Sequence, residues 1–132
     1  MASKATAITL TNPQEYDEEA RALYEMHGNR LLAIPNLRFT ATAQESRMIN
    51  EMPGPKIIVS ASGMADAGRI LHHLKHNLWR PECTILFVGY QANGTLGRSL
   101  IEGEKNVKLF GEPIEVHAHI ESLHGVSGHA DM

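Results

Sequence analysis

A single cysteine, Cys83, stands in the 132-residue chain, and one thiol cannot build an intramolecular disulfide framework. Its place just before an apolar run predicts a buried, inert thiol. No apolar run approaches the roughly 18 residues that a membrane-spanning helix needs. The first six residues, Met1-Ala2-Ser3-Lys4-Ala5-Thr6, lack the apolar core of a secretory signal, and a cytoplasmic location is expected. Positive charge is scarce too: 12 Lys and Arg against 15 Asp and Glu leave a net charge of −3 with histidines neutral. That balance argues against a broadly basic nucleic-acid binder, because neutralising phosphates takes clustered Lys and Arg. It leaves open a local phosphate site made of backbone N–H groups. The remaining composition, 42% apolar and 20% charged, is that of a soluble globular domain with a hydrophobic core.

Cap and turn residues divide the chain. Residues 3–10 make a weak helix candidate, since Thr6, Ile8 and Thr9 are β-branched. A firmer helix is predicted from Pro13 to His27, with Asn12 as cap, acidic early turns and Gly28 as its stop. Leu37–Thr40 reads as a short strand. Thr42-Ala43-Gln44-Glu45 is a capping box that predicts a helix to about Met52. Two similar units follow. In the first, Ile57-Ile58-Val59 within Lys56–Ala61 has the continuous apolar character of a strand buried on both faces. A glycine loop then leads into a helix, Ala65–Leu78. In the second, the strand is Thr84–Gly89, the loop Gly89–Gly94 and the helix Thr95–Glu102. Strand, loop and helix twice over predict an α/β fold with neighbouring parallel strands. The tail reads as a hairpin, Val107–Phe110 and then Ile114–Leu123, with alternation burying one face. There is no repeat beyond these two units and no low-complexity segment.

Ligands bind an open parallel sheet outside the carboxyl ends of its strands. The two loops there are Ser60–Gly68 and Gly89–Gly97, with Arg69 and Arg98 just inside the helices that follow. Their glycines either admit a phosphate close to the backbone at helix N-termini or only make tight turns. The eight histidines raise a metal question. His72 and His76 have the i, i+4 spacing of zinc ligands but lack the glutamate of an HExxH pattern, and they lie opposite the apolar stripe, as a solvated face does. His117 and His119 share one strand face, where an exposed hairpin face accounts for them. His129 differs: Ser127-Gly128-His129-Ala130-Asp131 surrounds its ring with small residues, and Asp131 is placed to set its tautomer.

Pro55-Lys56-Ile57-Ile58-Val59-Ser60-Ala61-Ser62-Gly63-Met64, Gly68-Arg69-Ile70, His72-His73-Leu74, Gly89-Tyr90-Gln91, Gly94-Thr95-Leu96-Gly97 and Ser127-Gly128-His129-Ala130-Asp131 occur in that order. Together they resemble the β-CASP region of metallo-β-lactamase-type RNA-processing nucleases, in particular the bacterial and archaeal relatives of the pre-mRNA 3′-end cleavage factor. The resemblance implies a Rossmann-like domain inserted in, and capping, a β-lactamase-like domain that carries two zinc ions. It implies that residues 1–113 are a partial β-CASP domain. Residues 114–132 would then be the return strand and motif B segment leading back to the β-lactamase-like domain. His129 matches the motif B histidine, a catalytic group on the phosphate side, with Ser127 beside it. Ser62, Gly63, Met64, Gly94 and Thr95 fall where the family faces the RNA backbone. Gly128 and Val126 stand where alanine and phenylalanine are common. The family's His-x-His-x-Asp-His zinc motif is absent, a further zinc histidine would follow Met132, and the acidic β-CASP motif would precede Met1. The expectation is therefore an internal fragment that holds no zinc of its own and is inactive alone.

Three functions follow from these readings. The chain is part of a zinc-dependent ribonuclease whose partners are RNA and the missing β-lactamase-like domain. Alternatively it is a non-catalytic module binding phosphate or RNA backbone. Or it is a structural domain that forms a homodimer through an open strand edge. No membrane partner is expected.

Overall fold

The computed structural model describes residues 2–28 and 34–123, which fall into two compact units, Met1–Thr40 and Ala41–Met132. In the first unit, helix α1 spans Ala2–Thr11 and helix α2 spans Glu18–His27, with a 3-10 turn at Pro13–Glu15 between them. The helix expected from Pro13 is thus interrupted at Tyr16 and Asp17. Asp17 is extended, and its side chain accepts a 2.8 Å hydrogen bond from the Ala20 N–H. A capping residue has to leave helical geometry to do this. The Tyr16 hydroxyl donates to the Thr9 carbonyl, and its ring meets Tyr24 edge-on at 5.6 Å. Leu37–Thr40 is not a strand, because β-propensity forms none without a partner ladder.

The second unit is α/β, a parallel sheet flanked by helices. Helix α3, Ala43–Met48, opens on the expected capping box: the Thr42 side chain accepts from the Glu45 N–H, and Glu45 reaches back to the chain before it. Backbone N–H groups of Ala41 and Thr42 hold the Glu45 carboxyl below the usual carboxylate range. A 3-10 turn continues α3 over Ile49–Glu51. Helix α4 is Ile70–Asn77, strand β1 is Thr84–Val88 and helix α5 is Leu96–Ile101. Strands β2, Asn106–Leu109, and β3, Glu112–Glu115, form the expected antiparallel hairpin. Its two-residue turn places Phe110 and Gly111 at positive φ, 53° and 82°, as a type I′ turn demands. Strand β4, His119–Leu123, runs parallel to β1.

The expected long return strand is therefore split. Val116, His117 and Ala118 turn their N–H groups to the carbonyls of Lys105 and Leu78, which breaks the ladder and carries the chain from the hairpin to the sheet. The buried alternation survives the break, since Val116 and Ala118 are buried and Glu115, His117 and His119 exposed. The core gathers Leu74 of α4 and Leu78 at its C-cap, Phe87 of β1, Leu100 of α5, Val107 and Leu109 of β2, and Val116. Each fully buried leucine contributes roughly 2 kcal/mol.

Two expectations about the sheet need correction. Ile57–Ser60 is not a strand beside β1; Ile57 and Val59 are 94% and 92% exposed. The parallel neighbour of β1 is β4, a segment that the tail's hairpin reading placed elsewhere. Nor is β1 buried on both faces: Ile85 and Phe87 turn to the core, while Leu86 and Val88 are more than half exposed. An apolar run states what a segment can bury, and the ladder partner decides whether it does. Cys83 is half-buried, with its thiol 3.6 Å from the Asn77 side-chain oxygen.

Candidate nucleic-acid interface

The loop that enters α4 starts α4 later than its sequence suggests. Ala65 adopts φ 58° with its methyl buried in the core, so the segment before Ile70 is a turn, not helix. The Ala65 N–H returns to the Ser62 carbonyl, and the Ser62 N–H to Ala67. Gly68 sits at φ 84°, and a Cβ there would lie 3.3 Å from the Ala61 carbonyl. In the second loop, Thr95 caps α5. Its hydroxyl oxygen accepts from the Arg98 N–H at 3.2 Å and donates to the Ala92 carbonyl at 2.7 Å.

The fold joins these loops directly. The Gly97 N–H donates to the Met64 carbonyl at 3.1 Å, the Ala92 N–H lies 3.3 Å from the Met64 sulfur, and the Leu96 N–H donates to the Asp66 carboxylate at 2.8 Å. Met64 and Asp66 thus clasp the start of α5. Asp66 drew no attention in the sequence, since nothing in its spacing names a helix 30 residues on as its target. Gly97 packs so closely that an added Cβ would lie 1.9 Å from Gln91 Oε1 and 3.1 Å from the Met64 carbonyl.

Five of the expected RNA-facing residues are therefore together, though not equivalent. The Met64 and Thr95 side chains work inside the junction. Ser62 is half-buried. Gly63 and Gly94 are exposed, and a Cβ at either would meet nothing within 4 Å, so both leave open backbone at the surface. The arginines are engaged elsewhere: Arg69 donates to the Ala41 carbonyl, and Arg98 pairs with Glu102 at 2.7 Å. With Asp66 at the start of α5, backbone and not charge is what this edge offers. Ser127 and His129 lie outside the described residues.

Of the histidines, His76 is exposed, and His72 stacks on the Phe110 ring at 4.7 Å. His117 pairs with Glu115 at the hairpin surface. Among the described residues, no three His, Cys, Asp or Glu side chains converge on a metal position. These residues do not fit a zinc site.

His73 is a different case, which the helical pattern did not single out. It is buried, with Nε2 2.9 Å from Ser46 Oγ and Nδ1 3.0 Å from Asn50 Oδ1. Asn50 Oδ1 also accepts from the Asn77 side chain at 3.3 Å. An oxygen accepting twice puts the His73 proton on Nδ1, so Nε2 accepts from the serine hydroxyl in the neutral ring. Burial first, then neighbouring His72 and His76, hold its pKa below the ordinary 6.5. Because the folded value is depressed, the unfolded chain takes up the proton first. Stability is full above about 6.5 and is lost as pH falls through the folded value. Urea unfolding at pH 7.5 and 5.5 is expected to show that loss, and His73→Gln to flatten it. An equal loss in the variant would assign the pH dependence to other groups.

The Beta-Casp domain family matches residues 1–100, and the chain belongs to that family. Among its relatives is the ribonuclease TTHA0252 of Thermus thermophilus, 35% identical over 130 residues that make up 98% of this chain and 30% of that protein. The transcription termination factor FttA of Methanosarcina mazei is 29% identical over 97% of this chain and 21% of its own length. FttA of Thermococcus kodakarensis is 32% identical over 97% of this chain and 20% of its own length. The chain thus spans less than a third of each of these relatives. No helix among the described residues is long and apolar enough to cross a membrane.

Proposed function

We propose that this chain is the RNA-facing cap of a zinc-dependent, cytoplasmic ribonuclease and does not cleave RNA alone. The observation that carries the reading is its membership of the Beta-Casp family, with 35% identity to a named ribonuclease across almost its whole length. The junction of the two glycine loops supports it, because exposed backbone at Gly63 and Gly94 suits a ligand approached closely and without side-chain charge. Any zinc the parent uses would be held by residues of its β-lactamase-like domain, and would supply hydrolytic chemistry there. The segment from Ile114 onward is read as the return toward that domain, with Ser127 and His129 on the phosphate side.

Labelled single-stranded RNA titrated against the chain, followed by anisotropy, tests the cap. Binding is expected to weaken as salt rises. Gly63→Asp, which adds a negative charge where space is open, is expected to weaken it at least about threefold. No binding at low salt, or binding indifferent to this change, would defeat the loop reading. A homodimer with no RNA affinity would favour the structural alternative.

A further inference from the structure

A groove of about 310 Å³ lies between α3 and α4, away from the glycine loops. Arg47, Asn50 and Glu51 form one wall. His72, Lys75 and His76 form the other, with Trp79 at the end of α4. The His73 network described above links these walls. His73 reaches across to Ser46 and Asn50, Asn77 reaches to Asn50, and Arg69 reaches to the carbonyl of Ala41. These side-chain hydrogen bonds, of which the Ser46–His73 one is buried, tie the two walls to each other. The described residues of α3 bury little apolar surface; Ser46 is its one buried residue, and Met48 is 56% exposed.

The lining has an uncommon composition for a chain of net negative charge. Arg47 makes no ion pair among the described residues. Glu51 is the single carboxylate of the lining. Lys75 is tied to Glu112 at 2.6 Å, so it contributes less. Trp79 is the only tryptophan of the chain, and it is 54% exposed. A large flat ring left in water beside cations and imidazoles is what a strand of alternating bases and phosphates requires: stacking for the base, charge for the phosphate. Stacking on an open indole needs an unpaired base, which excludes duplex.

We infer that this groove is a second contact for single-stranded RNA, with a base stacked on Trp79 and an adjacent phosphate at Arg47. It rests on the reading that the parent acts on RNA, and it adds a contact whose lining shares no residue with the loop junction. The groove would add affinity and register without touching the reacting phosphate.

Trp79 supplies its own reporter. A 12-nucleotide oligouridylate titrated into the full chain is expected to quench its fluorescence, with the effect reduced by salt. Arg47→Glu, at an exposed position, is expected to raise the Kd at least about fivefold, and Trp79→Ala to do the same by anisotropy. Circular dichroism of both variants checks that they remain folded. RNA binding without quenching, and unchanged in Arg47→Glu, would overturn the groove while leaving the loop junction intact. Quenching lost in Arg47→Glu but preserved in Gly63→Asp would retain the groove and overturn the junction. Equal quenching by an oligoglutamate of the same length would assign the groove to acidic peptides and defeat the RNA assignment.

Discussion

Gly97→Ala is expected to destabilise the chain by about 1–3 kcal/mol, the usual cost of forcing a methyl into filled space. Alanine is the better helix former by nearly 1 kcal/mol, so a surface position would respond in the opposite direction. Here the new Cβ would lie 1.9 Å from Gln91 Oε1 and 2.9 Å from Gln91 Cδ. Gln91 is 95% buried (its exposure is 5%) and cannot retreat without reopening the junction. The Met64 carbonyl, 3.1 Å from the same point, also accepts the Gly97 N–H. Displacing it would separate the two loops as well as strain α5. The companion experiment uses Gln91→Ala. Its Oε1 is buried with no hydrogen-bond partner among the described residues, so removing it relieves one cost and opens a small cavity, and the net change is expected to be small. In the double variant, most of the Gly97→Ala penalty should disappear. Urea unfolding of the four proteins gives the cycle. Additive losses would place the clash on the Met64 backbone alone, and a Gly97→Ala protein as stable as the parent chain would show that the junction is loosely packed. On the proposed loop reading, the same variant should also weaken RNA binding, since Gly97 joins the two loops.

His129→Ala in the intact parent is expected to lower RNA cleavage by roughly 10²- to 10⁴-fold, the contribution of a positioned acid or base. Zinc content should not change, because the proposed role is on the phosphate and not on the metal. The proposal further predicts an unchanged melting temperature for this chain alone. A structural histidine would instead leave its partner unsatisfied and cost about 1–3 kcal/mol. Activity assays and metal analysis of the parent, beside thermal melts of the chain, separate these outcomes. Full activity in the substituted parent would remove His129 from the mechanism, and lost zinc would make it a ligand.

Local chemistry was readable wherever a residue acts on its own neighbours. Thr42 and Glu45 announce the start of α3 because a capping box closes within four residues. Thr95 caps α5 with its hydroxyl alone, which accepts from the Arg98 N–H. The alternation through Ile114, Val116, Ala118 and Ile120 announces a half-buried face, because side chains in extended chain alternate whatever their partner. The glycine loops and their order were also legible, and with them the family. Asp17 shows the limit of such signals: it competes with Asn12 for the same task, and the side chain that reaches an N–H wins.

Tertiary structure decided the rest, because the remaining questions concern pairs distant along the chain. Ile57-Ile58-Val59 and Ile85-Leu86-Phe87-Val88 look alike as apolar runs, yet only the second finds a ladder, and its partner is His119–Leu123. Asp66 becomes the partner of Leu96 only after α4 and β1 have brought the two loops to one edge. His73, one of three histidines within five residues, is the buried one because Ser46 and Asn50 meet it across α3. Sequence spacing determines which face of its own element a side chain occupies. What that face meets is set by packing between elements, and there a hydrogen bond of 2.9 Å joins Ser46 and His73 although they lie 27 positions apart.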